Sequence, residues 1–335
     1  MQQVRVHGPG DARLDDVPDP EPGPDDVVVE VAACGVCGSD LKYIAAGGLM
    51  GPGPEPMPLG HELAGIVAEV GDTVDGVATG DRVVVNPGNN DVSHIGNGGT
   101  EGAFTRRLLV RQAARDGRLF AVPDQVPLDV AALTEPVGVA MNAVDKAEVT
   151  AGDRVAVIGA GPIGLGAVAT CVDRGAADVV AVDPAPERLE LARALGADAV
   201  VQPDTDDLWA VLRERHGTVA TVFGPMPATE AYVECSGAAP VIPDVIANAG
   251  TDARLSVAGL HLDDIPTSFL QVLTKELTIR GAMEYPERFE DAVDLVARLD
   301  LSPMITHRIP LERWDEVMAL IAGPPSFAKI MVTMD

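Results

Sequence analysis

The chain has 335 residues, enough for about two domains, and its four cysteines are too few and too irregularly spaced for a disulfide framework. Its 51 acidic residues outnumber its 24 basic ones, and the resulting net charge of −27 argues against a nucleic acid or an anionic membrane as partner. No apolar run reaches the length of a membrane span and the N-terminus has no basic, apolar leader, so we expect a cytoplasmic protein.

The acidic surface has two equally good explanations. Carboxylates stay hydrated at high salt and their mutual repulsion is screened there, which suits a halophilic host. A GC-rich genome that favours Asp, Ala, Gly and Arg produces the same composition. Neither explanation bears on the reaction.

The first third of the chain predicts short β-strands joined by glycine and proline turns. Residues 16–26 contain four prolines, so this segment cannot be regular structure. The predicted strands are residues 27–32, 64–71, 80–85 and 101–110. Many short strands with glycine turns are typical of a partly open β-barrel.

Two polar motifs interrupt these strands, Cys-Gly-Val-Cys-Gly-Ser-Asp at 34–40 and Gly-His-Glu at 60–62. A Cys-x-x-Cys pair is compatible with half of a structural zinc site or with a redox pair. The first needs a second cysteine pair and the second needs a thioredoxin-like context, and this sequence provides neither.

The pattern changes after residue 129. Residues 130–144 are apolar with helical spacing and contain the dipeptide Glu135-Pro136. A strand at 155–158, the loop Gly-Ala-Gly-Pro-Ile-Gly at 159–164, an apolar helix and a second strand that ends at Asp183 then follow. Strand, glycine loop, helix, strand and acid in this order predict a dinucleotide-binding unit.

The glycine loop and the acid predict the coenzyme. The first glycine permits a tight turn, the second lets the backbone approach a pyrophosphate, and the third lets helix and strand pack closely. Asp183 is placed to accept hydrogen bonds from ribose hydroxyls and would repel the extra phosphate of NADP. Arg188 lies close enough in sequence to complicate the choice, so NAD is favoured and NADP stays open.

The remainder of the chain continues the βαβ pattern and then closes. The predicted elements are a helix at 187–195, strands at 199–201, 231–235, 254–258 and 277–281, helices at 286–299 and 311–322, and a strand at 329–333.

The order of these motifs resembles the zinc-dependent medium-chain alcohol dehydrogenases, and most of all their polyol dehydrogenase branch. The resemblance also covers Val-Glu-Cys-Ser-Gly at 233–237 and Thr-His-Arg-Ile-Pro-Leu at 306–311. It implies an α/β protein with a GroES-like, partly open β-barrel catalytic domain at 1–137 and 284–335. A Rossmann coenzyme domain with a doubly wound parallel sheet would occupy 138–283.

The resemblance implies one catalytic Zn²⁺ per chain. Cys37 and His61 would bind it, Glu62 and Glu135 would bind it directly or through water, and Cys34 would be a buried bystander. Family members also carry a lobe of four closely spaced cysteines that holds a structural zinc. The matching residues, 86–99, contain no cysteine, so no structural zinc is expected.

The same resemblance assigns the remaining catalytic and coenzyme residues. Ser39 would relay the proton of the alcohol and Asp40 would orient the metal-binding histidine, whereas Lys42 replaces the family's relay histidine. The residues implied to bind the coenzyme are Gly159, Gly161, Pro162, Ile163, Gly164, Asp183, Arg188, Val257 and Gly259.

Tyr43 and Glu284 are the candidate substrate residues. Tyr43 matches a pocket tyrosine of the polyol enzymes, whereas Glu284 stands where those enzymes have an arginine. A carboxylate there disfavours acidic substrates, so we expect a neutral polyol, a cyclitol or an aminocyclitol as the alcohol substrate. The alternative is that Glu284 points to solvent.

The strand near Leu277–Gly281 would be an exposed edge unless it paired, so a homodimer or homotetramer formed through it is expected. Two other functions stay open. One is a zinc-free NAD(P)H-dependent enoyl or quinone reductase of the same superfamily, and the other is a non-catalytic NAD-binding regulatory protein.

Overall fold

A computed structural model describes residues 1–88, 94–113, 117–323 and 327–334 of the chain. The strands are β1 (Gln2–Gly8), β2 (Asp11–Asp16), β3 (Val27–Gly35), β4 (Met57–Pro58), β5 (Glu62–Val70), β6 (Arg82–Val85), β7 (Arg107–Val110), β8 (Leu119–Ala121), β9 (Arg154–Ile158), β10 (Asp178–Val182), β11 (Ala199–Val201), β12 (Thr218–Thr221), β13 (Gly224–Pro227), β14 (Ala231–Glu234), β15 (Arg254–Val257), β16 (Thr278–Gly281), β17 (Ile305–Pro310) and β18 (Lys329–Thr333). The helices are α1 (Gly38–Ala46), α2 (Leu128–Ala131), α3 (Thr134–Lys146), α4 (Pro162–Asp173), α5 (Pro186–Ala194), α6 (Leu208–His216), α7 (Val241–Asn248), α8 (Phe269–Lys275), α9 (Glu290–Arg298) and α10 (Trp314–Ala322). In these ranges no helix is both long and apolar enough to cross a membrane.

The chain divides into two compact units. The first comprises residues 1–135 and 288–335, and the second comprises residues 136–287. The first unit is therefore discontinuous in sequence, because the chain leaves it after Glu135 and returns at Arg288.

The first unit is built around β3. This strand pairs antiparallel with β5, β7 and β18, within a seven-stranded sheet of order β17-β18-β3-β5-β6-β8 to which β7 attaches through β3. Valines at 27, 28, 29 and 31 are buried, as expected of a central strand covered on both faces. A second sheet, β2-β1-β4, completes the GroES-like β-domain.

Trp314 joins the returning C-terminal segment to this core. It is 2% exposed, its ring centroid lies 5.1 Å from that of Phe104, and its indole N–H donates to the carbonyl of Ala12 at 2.9 Å. The buried aromatic body with a satisfied polar end holds α10 against the N-terminal strands.

The second unit is a Rossmann domain. Its six strands run in the order β11-β10-β9-β14-β15-β16, and every neighbouring pair is parallel. The strand order reverses between β9 and β14, and such a switch point at the carboxyl ends of the strands is where this architecture binds nucleotides. The confirmed fold class is thus the one that the glycine loop and the alternating pattern predicted.

Two predicted elements are wrong in detail. The apolar segment 130–144 forms two helices, α2 and α3, because Pro136 has no N–H to donate and lies in the first turn of a new helix. Only Arg107–Val110 of the segment 101–110 is a strand, and Phe104 instead exchanges backbone hydrogen bonds with Val4 and Leu59.

Candidate metal centre and dinucleotide site

Cys37 lies at the N-terminus of α1, three residues after the start of its own motif. Its backbone N–H donates to Oδ2 of Asp40 at 2.9 Å. This hydrogen bond satisfies an N–H group at the helix N-terminus that has no acceptor within the helix, and it fixes the first turn. The Cys-x-x-Cys segment therefore runs from the end of β3 into a helix that begins beside Cys37.

The register of β3 against β5 brings the second motif to the same place. Gly35 pairs with Glu62, so the Gly-His-Glu segment lies next to the chain that leads to Cys37. A Cβ on Gly35 would come within 2.1 Å of the Glu62 carboxylate, so the close approach requires glycine there. One ligand atom from each of Cys37, His61 and Glu62 lies within 4.8 Å of the others.

This donor set fits zinc. Zinc takes sulfur at about 2.3 Å and nitrogen or oxygen at about 2.0–2.2 Å, so its ligand atoms lie roughly 3–4 Å apart. A span of up to 4.8 Å needs only small side-chain rotations to reach that geometry. One thiolate, one imidazole and one carboxylate leave the fourth position open, as in catalytic rather than structural zinc sites.

Asp40 and His61 form a buried, charge-coupled pair. Asp40 is 0% and His61 2% exposed, and Oδ1 of Asp40 lies 3.7 Å from Nδ1 of His61. Neither atom has a hydrogen-bond partner among the described residues. Burial acts to lower the pKa of His61, but the Asp40 carboxylate and Cys37 outweigh it, so this pKa is raised well above its ordinary value. Burial also raises the pKa of Asp40.

Glu62 has a second buried partner, Lys329 at the start of β18. The Nζ of Lys329 donates to both carboxylate oxygens of Glu62 at 2.6 Å and to the carbonyl of Val36 at 3.0 Å. Both side chains are 1% exposed. Burial acts to lower the pKa of Lys329, but the Glu62 carboxylate together with Cys37 and Glu135 outweighs it, so this pKa is raised. Glu62 therefore lies between a lysine and the other two candidate metal ligands.

Two other predicted residues border this cluster. Ser39 places its Oγ 3.5 Å from Nε2 of His61. Glu135 is buried in the first turn of α3, and its charge contributes to the raised pKa of His61. Its carboxylate is not among the ligand atoms that lie within 4.8 Å of one another.

The remaining predicted residues of the first unit lie on or beside α1. Lys42 is exposed to solvent. Tyr43 is partly buried and donates its hydroxyl hydrogen to Oδ1 of Asn97 at 3.2 Å, and burial raises its pKa. Cys34 is fully buried, and burial raises the pKa of its thiol well above the ordinary value. Residues 89–93 of the cysteine-free segment 86–99 lie outside the described residues.

The second unit contains a cavity of about 680 Å³ at the switch point of its sheet. Gly159 and Gly161 line it, and Gly159 adopts φ +96° with its Cβ position 2.8 Å from the backbone nitrogen of Ser236. A Cβ on Gly164 would overlap the carbonyl of Gly159, so the third glycine is needed for packing. Pro162 and Ile163 form the first turn of α4, whose free N–H groups suit a phosphate.

Asp183 joins the end of β10 to the glycine loop. It is 4% exposed, its Oδ2 accepts from the backbone N–H of Ala160 and its Oδ1 from that of Ala185, both at 2.8 Å. Arg188 lies on α5 with a guanidinium nitrogen 3.9 Å from Asp183. Both side chains line the cavity, so the acid is fixed in place with a cation beside it.

Val257 is the last residue of β15, and Gly259 lies two residues beyond it. The carbonyl of Val257 accepts from the N–H of Ala282 at 2.9 Å. A Cβ on Gly259 would lie 2.3 Å from the backbone nitrogen of Gly237, so this turn also requires glycine. Glu234, fully buried, holds the facing turn by accepting from the N–H groups of Ser236 and Gly237.

Glu284 also lies in the second unit, exposed, directly beyond β16. It is one of five described non-glycine residues with positive φ, at φ 60°. The side chain of Asn142 donates to the carbonyls of Met283 and Glu284. Tyr43 belongs to the first unit, so the structure does not bring the two predicted substrate residues together within one unit.

Lys329 and Glu234 are the residues that the sequence patterns missed. A signal for Lys329 existed, because lysine occurs only four times and this one opens an apolar strand, Lys-Ile-Met-Val-Thr. Charged residues at such positions are rarely buried unless they are paired. Glu234 lay inside a segment already matched to the family but carried no predicted role.

Comparison with known proteins identifies the family. Residues 23–124 match the alcohol dehydrogenase GroES-like domain, and residues 162–298 match the zinc-binding dehydrogenase domain. The sorbitol dehydrogenase of Macaca fascicularis is 34% identical over 325 residues, which cover 92% of this chain and 89% of that protein.

Solved structures agree over the whole chain. The 2R,3R-butanediol dehydrogenase of Bacillus subtilis is 28% identical with a TM-score of 0.86 and covers 100% of this chain and 99% of its own. A zinc-binding dehydrogenase structure from Sinorhizobium meliloti 1021 bound to NADP is 27% identical with a TM-score of 0.83. The match covers 99% of this chain and 98% of that one. The chain belongs to the zinc-type medium-chain alcohol and polyol dehydrogenases.

Proposed function

We propose that this chain is a zinc-dependent oxidoreductase that transfers a hydride between a secondary alcohol and NAD. The observation that carries the proposal is the meeting of Cys37, His61 and Glu62 in one unit of a chain whose other unit has a dinucleotide cavity. We infer that the first unit is the catalytic domain and the second the coenzyme domain, with boundaries near residues 137 and 284 as the sequence predicts.

Cys37, His61 and Glu62 would hold the ion, and Glu135 would reach it through water or by a change of side-chain position. A zinc ion bound there supplies a Lewis acid that lowers the pKa of an alcohol hydroxyl toward neutrality. Asp40 would orient the imidazole of His61, as carboxylates do behind metal-binding histidines, if the 3.7 Å between its Oδ1 and Nδ1 of His61 shortened to a hydrogen bond when the metal binds.

Ser39 would accept the alcohol proton. Its hydroxyl lies at the edge of the metal cluster and is partly exposed, so it can pass a proton from a buried site toward solvent. The relay would then continue to water beside Lys42, because an ammonium ion cannot accept a proton.

The coenzyme residues are Gly159, Gly161, Pro162, Ile163, Gly164, Asp183, Arg188, Val257 and Gly259. Asp183 favours NAD, because its buried carboxylate would repel a 2′-phosphate in the same cavity. Exposed acids at 204, 206 and 207 on the cavity rim add to that repulsion. The cation of Arg188 would instead attract the 2′-phosphate of NADP, but Asp183 partly offsets its charge.

The substrate class follows from relatives and from two side chains. Relatives that act on sorbitol and on butanediol support a neutral secondary alcohol. The carboxylate of Glu284 would accept hydrogen bonds from the other hydroxyls of a polyol, cyclitol or aminocyclitol, and the hydroxyl of Tyr43 would accept from or donate to them. A carboxylate at 284 would also bind an amine.

We infer a homodimer, or a tetramer of two such dimers, formed through β16. Among the residues that the structure describes, this strand pairs with β15 alone, and Ile279 on it is 38% exposed. An unpaired edge with an apolar side chain tends to pair with a second copy. A lysine at this position would keep such an edge monomeric.

Metal analysis combined with a substrate screen tests the proposal. The purified chain should contain one zinc per chain and reduce NAD with at least one polyol, cyclitol or simple secondary alcohol at low or high salt. A chelator should abolish the activity and zinc should restore it. Cys37→Ser should lose both zinc and activity, whereas Cys34→Ser, at the buried bystander, should keep both.

Three outcomes would contradict the proposal. Zinc-independent reduction of an enone or a quinone would identify the reductase alternative. Coenzyme binding without turnover of any alcohol, enone or quinone would identify the regulatory alternative. A clear preference for NADP would refute the coenzyme assignment alone.

A further inference from the structure

A buried amide clamps the backbone just beyond the last strand of the coenzyme sheet. Asn142 lies on α3 and is 5% exposed. Its Nδ2 donates to the carbonyl oxygen of Met283 at 2.9 Å and to that of Glu284 at 3.3 Å. The two contacts join residues 141 and 142 positions apart in sequence, so they fix a tertiary position rather than a local turn.

The clamped residue has an unfavourable backbone. Glu284 has φ 60°, a left-handed conformation that side chains with a Cβ rarely adopt. Such a conformation persists only where the surrounding structure holds it, and it is concentrated at functional sites. The described contacts that hold it are those of Asn142, together with the N–H of Ala282, which donates to Val257 at 2.9 Å.

The far end of the clamp buries little side-chain area. Glu284 is exposed, so its side chain contributes little buried area, and Met283 beside it is 74% exposed. A buried amide is therefore used to fix two surface residues, one of which is charged and strained. We propose that Asn142 is a positioning residue that holds Glu284 in its left-handed conformation and so presents the Glu284 carboxylate to the substrate. The substrate part rests on the proposed function.

The first test measures the clamp without any turnover. Asn142→Leu keeps the approximate size of the side chain and removes the donor. Amide hydrogen exchange of residues 283–286 should accelerate about tenfold, as expected for the loss of one or two hydrogen bonds. The matched control is Asn248→Leu, because Asn248 also donates to a backbone carbonyl, that of Asp244 at 3.0 Å, but in an exposed hydrogen bond within another helix of the same unit. This control should leave exchange at 283–286 unchanged.

The second test measures the consequence for the alcohol. Asn142→Leu should raise the KM for the alcohol about tenfold, as Glu284→Gln should, and change zinc content, kcat and the KM for coenzyme less than about twofold. The double variant should be no worse than either single variant, because both changes remove the same contact. Asn142→Gln should not restore the KM, whereas Asn142→His, which keeps a donor, should restore part of it.

The outcomes separate the inference from the proposed function. Unchanged exchange in Asn142→Leu would overturn the inference whatever the enzyme does. Accelerated exchange with an unchanged alcohol KM, or with additive effects in the double variant, would reduce Asn142 to a structural role and also overturn it. A parent enzyme that oxidises no alcohol would refute the proposed function and the presentation of Glu284 to an alcohol, and the exchange result would still decide whether Asn142 holds the loop.

Discussion

Replacing Lys329 with methionine removes a cation from the interior of the first unit and leaves its partner in place. Methionine has nearly the length of lysine, so the apolar packing of β18 changes little. The Glu62 carboxylate loses two hydrogen bonds of 2.6 Å, and the carbonyl of Val36 loses one of 3.0 Å. Both charged side chains are 1% exposed, so water cannot replace the lost donors without opening the core.

The expected loss of stability is large in the metal-free protein. Removing one partner of a buried ion pair typically costs about 3–5 kcal/mol, because the remaining charge is uncompensated. For a unit of this size each kcal/mol lowers Tm by roughly 2–4 °C, so the fall should be on the order of 10 °C. The double variant Lys329→Met with Glu62→Gln should recover most of it, since neither charge then remains.

Zinc should reduce the loss, because a bound dication compensates the same carboxylate. If removal of Lys329 tightens zinc binding about tenfold, the loss in the zinc-loaded protein is smaller by about 1.4 kcal/mol. Thermal unfolding of chelator-treated and zinc-loaded samples measures both values. The rise in Tm produced by zinc should be larger in Lys329→Met than in the parent.

The control is Lys275, the other fully buried lysine among the described residues. It donates to the carbonyls of Ile246 and Ala247 and to Gln271, and it belongs to the second unit. Lys275→Met should lower Tm by the same amount with and without zinc. A Lys329→Met variant that is as stable as the parent, or that loses the same Tm in both forms, would refute the charge argument and the role of Glu62 as a metal ligand.

Four further predictions concern coenzyme, metal, pH and assembly. Asp183→Asn should raise the KM for NAD about tenfold or more and reduce the preference for NAD over NADP, because a charge-assisted hydrogen-bond acceptor is lost. The rim variant Asp204→Asn should change the KM for NAD and the KM for NADP less than about twofold. Zinc affinity should rise with pH through neutrality, because the raised pKa keeps metal-free His61 protonated; calorimetric titrations in buffers of different ionisation enthalpy should detect the released proton. Burial lowers the pKa of His216 in the folded protein. Its contribution to stability is therefore complete above the pKa of about 6.5 in the unfolded chain and is lost as pH falls through the lower pKa of the folded protein. Between about pH 7 and 5, the Tm of His216→Gln should change less than that of the parent. Ile279→Lys should convert the oligomer to monomers in analytical ultracentrifugation, because two like charges would meet at the paired edge.

Each of these has a contrary result. Equal effects of Asp183→Asn and Asp204→Asn on the KM for NAD would show that Asp183 acts only as one of several negative charges at the cavity and not through a specific hydrogen bond. Zinc affinity independent of pH would mean that His61 is neutral or does not bind the metal. A parallel pH response of His216→Gln and the parent would assign the acid sensitivity to another group. An unchanged sedimentation coefficient in Ile279→Lys would move the interface away from β16.

The second unit was the more predictable part of the fold, for a physical reason. Its central strands β9, β10 and β14 are buried on both faces and its ligand loop is continuous in sequence, so apolar runs and glycines at 159–164 carry the information locally. The hairpin of β12 and β13 was missed because Gly-Pro-Met-Pro at 224–227 is an unfavourable strand sequence, and here it forms an edge. The helix α1 was missed because it begins with Gly-Ser-Asp, which usually indicates a turn.

For the candidate metal cluster, the sequence predicted which residues could be ligands but not that they meet in space. Cys37, His61 and Glu62 come from motifs whose residue types and order suggest zinc, but their meeting depends on the register of β3 and β5. The Glu62–Lys329 pair spans 267 residues, so no local pattern could reveal it. The strain at Glu284 was likewise invisible, because left-handed backbone at a glutamate has no sequence signal.

The Glu62–Lys329 ion pair gives a chemical reason for the return of the C-terminal segment to the first unit. β18 returns from the end of the chain to lie antiparallel beside β3, with Met331 opposite Gly35. That pairing places Lys329 against Glu62, whose close approach to Gly35 already excludes any side chain there. A cation delivered by the last strand compensates the charge of that buried carboxylate in the metal-free protein. The C-terminal strand thus stabilises the metal-free centre as well as closing the sheet. A chain shortened before β18 should fail to bind zinc even where the Cys37 and His61 segments remain, because β3 then loses the strand that pairs with it beside Gly35.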